Sequence, residues 1–151
     1  LGVSKEIVGS DSLYPISIFD NTKDYLITFS KEASECYEQG LYNSCLLMLR
    51  KITETLIVDL YESRGLQAKI TNLKGDYLQL NGLIGCVTNE TSWKLSKTPK
   101  THLPKIKLYA DSSAHSRRFR ARKNDIDSLK QDMRIVFEEF VTLIDYQSFK
   151  N

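Results

Sequence analysis

The sequence predicts an all-α protein, a bundle of four or five helices. Three observations carry this. Apolar residues recur at threes and fours over most of the chain, the spacing that lines one face of a helix. No stretch of any length alternates apolar and polar residues as a half-buried strand would. Two of the glycines, Gly40 and Gly65, fall just after apolar-periodic stretches, where a helix end favours a left-handed residue.

Residues 1–21 read as an extended lead-in containing Gly9 and Pro15, with "YPISIF" packing against the body of a helical domain over 22–151. A first helix starting near Asn21 or Thr22 places Tyr25, Leu26, Phe29, Ala33, Cys36 and Tyr37 on one side and ends before Gly40. The stretch "LYNSCLLMLRKITETLIVDLYESRG" is apolar over more than half its circumference and has no internal glycine or proline. Such a helix belongs at the centre of a bundle. From Leu66 to Val87 the pattern weakens to one or two short helices, broken near Gly75 and Gly82. Residues 88–100 read as a polar loop anchored by Trp93. Leu103, Ile106, Leu108 and Tyr109 then start a helix with Pro104 in its first turn and His115 near its end. Asn124 is the expected N-cap of a long last helix that keeps its apolar spacing from Ile126 to Tyr146, with Asp125 and Asp127 favouring its positive start.

A length of 151 residues with 41% hydrophobic and 26% charged content fits one globular domain. No apolar run approaches the roughly 20 residues of a membrane span, so no membrane partner is expected. Leu1 is not an initiator, which points to a piece of a longer or processed protein whose other domains are partners. Cys36, Cys45 and Cys86 are odd in number and lack close pairing, which argues against a disulfide framework and for a cytoplasmic setting. No CxxC or HxxxH spacing marks a metal site, and no glycine-rich phosphate loop or GxSxG is present, so neither metal nor cofactor is expected.

The net charge of +2 hides a segregation. Ten of the 21 basic residues and only one of the 19 acids, Asp111, lie within 94–123. Inside it, "SAHSRRFRARK" sets Arg117, Arg118, Arg120, Arg122 and Lys123 around Phe119, beside His115. Arginine forks suit phosphates, and an interleaved aromatic can stack on an unpaired base. Lys105 and Lys107 lead into this run and extend the positive surface. A solvated basic loop, or one that meets an acidic protein partner, fits the same residues. Arg50 and Glu54 are four apart on or beside the apolar stripe of the second helix. That is the spacing of a surface ion pair, or of a partly buried pair facing another helix.

The order of these features resembles the HEPN superfamily (higher eukaryotes and prokaryotes nucleotide-binding), in particular a bacterial HEPN-like branch of unknown function found in or beside defence and restriction proteins. The residues that carry the resemblance are Gly40, Tyr42, Arg50 and Glu54 in the second helix, then Ala114 and His115 before the last one, within roughly 22–146. The resemblance implies a helical bundle, a homodimer formed through long helices, and RNA or DNA as partner. Many members are metal-independent ribonucleases. They use an arginine followed after four to six residues by a histidine, with a polar residue after the arginine. Histidine moves the proton near neutral pH and arginine holds the scissile phosphate. His115 matches the histidine and Asp111 the polar position, but Ala110, Tyr109 and Leu108 stand at the three allowed arginine spacings and Lys107 lies one step too far. The reading is therefore a degenerate, non-catalytic module for dimerisation and nucleic-acid binding. The alternatives are a ribonuclease using His115 with a displaced arginine, and a protein–protein scaffold. For His115 itself, a structural role between helices, with Asp111 or Arg50 and Glu54 nearby, stands beside ligand contact and catalysis. His102 is expected to be solvated in a basic loop.

Overall fold

In the computed structural model, which describes residues 12–149 and only the backbone of 113–115, the chain is all-α. The helix spanning Tyr42–Ser63 (α2) is the central column, as its broad apolar face requires. Leu46, Leu49, Ile52, Leu56, Ile57, Leu60 and Tyr61 are all at most 1% exposed on it. Around it pack α1 (Asp24–Glu38), α3 (Leu80–Asn89), α4 (Lys97–His115) and α6 (Lys130–Ile144), while the short α5 (Lys123–Asp127) seals one end. Gly40 and Gly65 adopt φ of +77° and +68°, so each ends the preceding helix in the left-handed region predicted for it.

Four local expectations change. The segment at 16–19 is a 3-10 turn rather than extended chain. It follows buried Leu13 and Tyr14, and Tyr14 and Phe19 stack edge-on against Phe137 of α6. The remainder of the expected lead-in, 1–11, lies outside the described residues, as do 150 and 151. Gly75 does break the chain, in a tight turn closed by a bridge between Thr71 and Tyr77, but Gly82 does not. It sits inside α3, where burial of Leu80, Leu83, Ile84 and Val87 outweighs the ~1 kcal/mol cost of a helical glycine.

Helix α4 begins at Lys97, within the expected loop, so Pro104 falls in the helix interior. The start is held from outside: the Ser96 backbone N–H and hydroxyl both donate to Glu139 of α6, at 2.7 and 2.5 Å. Pro104 has no N–H to donate to the carbonyl of Lys100 one turn earlier, and both residues are exposed. The long final helix is two. The α5 cap is Arg122 rather than Asn124, because the Asp125 carboxylate reaches back to the Arg122 N–H at 2.8 Å. A turn at 128–129 then restarts the chain as α6. Trp93 is buried edge-on against Tyr61, as its expected anchoring role requires.

Past α6, Asp145 at φ +54° turns the chain back, and Tyr146 and Phe149 fold onto the body. The Tyr146 and Tyr25 hydroxyls both donate to Oδ2 of Asp59, at 2.6 and 2.8 Å, and Lys23 donates to the Phe149 carbonyl at 3.2 Å. Asp59 is 4% exposed. Burial pushes its carboxyl above the ordinary range, against the pull of Tyr146, Tyr25 and Lys23.

Candidate nucleic-acid interface

The arginine run forms the loop between α4 and α5, and its shape follows from three anchors. Ser116 closes the last turn of α4 by donating to the Ser112 carbonyl at 3.2 Å. Phe119 turns inward and packs against the core. The Ala121 N–H donates to Oδ1 of Asn43 at the start of α2, at 2.7 Å. With these positions tied down, Arg117, Arg118, Arg120 and Arg122 project outward, and all four are exposed. The guanidinium groups of Arg117, Arg118 and Arg120 make no ion pair or hydrogen bond to the described residues. The Phe119 ring is half-buried against the core, and it is the arginines of the run that stand exposed.

The lysines named with this run behave differently. Lys105 donates to the Ser128 carbonyl at 2.9 Å and lies 3.5 Å from Asp132. Lys107 donates to Asp111 at 2.6 Å. Lys123 pairs with Asp127 at 3.1 Å and sits over the Tyr37 ring. Asp127 also accepts from the Tyr37 hydroxyl at 2.5 Å. Against the upward push of burial, Tyr37, Lys123 and Lys130 hold its carboxyl below the ordinary range. Lys94, Lys97 and Lys100 are exposed but lie just before or within the first turn of α4, at its far end from the loop. The 17 residues from Lys100 to Arg117 are about 25 Å at helical rise. The positive segment is thus two separate patches, and the loop is the denser.

On the flank of α2, the Arg50 side chain is 14% exposed and meets two other residues of the expected site. Its Nη1 lies 3.2 Å from Asp111 Oδ1 on α4, and its Nε lies 3.6 Å from Glu54 Oε2 one turn along α2. Asp111 divides its oxygens between Arg50 and Lys107. Of the two expectations for Arg50 and Glu54, the partly buried pair facing another helix is the one present. Its members Arg50 and Asp111 are 61 residues apart in sequence. Two carboxylates largely neutralise Arg50, so it does not face solvent as a free phosphate ligand. His115 is the last residue of α4, one turn beyond Asp111; its side chain lies outside the described residues. His102 is not a solvated loop residue. It lies within α4, where its Nδ1 is 3.1 Å from Asp132 on α6.

The i, i+4 spacing of Lys107 and Asp111 is a local signal that the sequence carries. The brace from Asn43 is not, since 78 residues separate it from Ala121. Cys45 is buried, which pushes its thiol up to about 12, and Cys36 and Cys86 are half-buried free thiols. Among the described residues no cluster of three or more His, Cys, Asp or Glu is arranged to hold a metal ion, and no helix is long and apolar enough to cross a membrane. Comparison with family models, curated proteins and solved structures finds no match to this chain.

Proposed function

We propose that this chain is a degenerate, non-catalytic HEPN-like module that dimerises and binds RNA or DNA in a prokaryotic defence- or restriction-related protein. The observation that carries the nucleic-acid half is the braced loop 116–122, with four exposed arginines, three of them without a partner among the described residues. Binding is to the phosphate backbone, because arginines dominate the exposed side chains of the loop and Phe119 is half-buried against the core. It therefore discriminates little between sequences.

The ribonuclease reading draws on one observation of its own. Asp111, one helical turn before position 115, lies 3.2 Å from Arg50 of α2, so in this reading α2 would supply the arginine that the local motif lacks. Against it, Asp111 and Glu54 both compete for that arginine. Incubating RNA with the protein in EDTA, wild type beside His115→Ala, separates the two. The module leaves RNA intact and keeps binding it in the variant. Cleavage that disappears with His115 would replace the binding module by the enzyme.

A further inference from the structure

Leu47, Lys51, Glu54 and Val58 lie along one incompletely covered side of α2, with Val58 packed in part against the core. Their spacing of four, three and four keeps them in one stripe of the helix surface, about 17 Å long at 1.5 Å per residue. Leu47 is 46% exposed, Lys51 is exposed, and Glu54 and Val58 are half-buried, whereas the opposite face of the same helix is sealed. Read in either direction, the stripe has an apolar residue at each end and one charge of each sign at the centre. We infer that this stripe is a two-fold interface with a second copy of this chain, the two α2 helices crossing antiparallel so that Leu47 meets the partner's Val58 and Lys51 meets the partner's Glu54.

The register follows from the order of the residues. In an isologous contact each pairing occurs twice, related by the axis. Antiparallel alignment about a point between Ile52 and Thr53 turns these four positions into two apolar contacts and two opposite-charge contacts. Parallel alignment in register would set Lys51 on Lys51 and Glu54 on Glu54. Both charges have capacity for a partner. The Lys51 ammonium rests on the Phe29 ring at 4.4 Å and has no carboxylate partner among the described residues. Among the described residues Glu54 has only the long 3.6 Å contact to Arg50, which leaves acceptor positions for a second cation.

The surroundings fit a helix laid along the stripe. Beside Leu47, a groove of about 500 Å³ opens between α1 and α2, with Cys36 and Met48 on its walls. On the α4 side Leu108, one turn before Asp111, is 63% exposed. A single helix pair with these flanks is at the small end of stable interfaces, so the dimer is expected to depend on concentration.

This names the surface for the dimerisation half of the proposed function and rests on that half alone. The test is the mass of the full chain by analytical ultracentrifugation up to about 100 μM, for wild type, Leu47→Glu, Val58→Lys, the double variant and Lys51→Glu. Helicity by circular dichroism controls for folding, and Lys51→Glu, at an exposed position, keeps the test open should Val58→Lys unfold the chain. A dimeric wild type is expected. Each single change should weaken association about tenfold or more, and the double variant should restore it, because the introduced carboxylate and ammonium then face each other across the axis. A dimer indifferent to Leu47→Glu and Lys51→Glu would overturn this face and leave dimerisation standing. Singles that dissociate without rescue in the double would overturn the register. A monomeric wild type would remove both the face and dimerisation, while RNA binding on the same samples judges the other half separately.

Discussion

Tyr146→Phe removes one hydroxyl from the interior and leaves the ring in place. That hydroxyl donates to Asp59 Oδ2 at 2.6 Å, the shorter of the two bonds this oxygen accepts. A hydrogen bond to a charged group contributes about 1.5–3 kcal/mol and one to a neutral group about 0.5–1.5 kcal/mol. The loss near neutral pH should therefore be about 2 kcal/mol, or roughly 6 °C in Tm for a chain of this size. The pH dependence follows from the direction of the Asp59 shift. Burial raises its folded-state value above the ordinary 3.8, so the folded chain binds that proton more tightly than the unfolded one. The stability linked to it is present at low pH and falls as pH rises through the raised value. The Tyr146 hydroxyl opposes that rise, so its removal costs more where Asp59 is ionised. Urea unfolding followed by Trp93 fluorescence and helical dichroism, at about pH 4 and about pH 7, measures both costs. An equal cost at the two pH values, or a larger one in acid, would refute the picture of an ionised carboxylate held by two tyrosines.

The bridge between α2 and α4 should show in a double-mutant cycle: Arg50→Met and Asp111→Asn, measured by urea unfolding, should couple by about 1 kcal/mol, between exposed and buried pairs. Additive costs would mean the pair does not act as one. Gly40→Ala, at φ +77°, should cost about 1 kcal/mol through strain in the turn between α1 and α2, and an unchanged Tm would contradict the left-handed assignment. Phe137→Ala should cost about 3–5 kcal/mol, because Tyr14 and Phe19 both pack on that ring. The same denaturation curves check it.

The elements legible in the sequence were those whose information is local. Residues 42–63 carry an uninterrupted apolar face with glycines beyond each end, and α2 forms there. The misplaced boundaries mostly depend on distant residues. Helix α4 starts early because Glu139 caps Ser96 from α6, and α3 runs through Gly82 because its apolar residues are buried by neighbours. The last helix is interrupted because Asp125 starts α5 at Arg122 and a turn at 128–129 follows. The candidate site divides the same way. The arginine run announced itself as a charged loop, but only the fold reveals that Phe119 faces inward and that Lys105, Lys107 and Lys123 each meet a carboxylate.

The central claim is that the loop 116–122 binds nucleic acid through its arginines, and the salt dependence of RNA binding tests it most directly. Four phosphate contacts on a single strand give a slope of about −2.8 in log affinity against log salt. Raising salt fourfold should then weaken binding about 50-fold, and only about 7-fold in Arg117→Gln/Arg118→Gln, where two contacts remain. A slope that is unchanged in the double variant, or no binding even at low salt, would contradict the account.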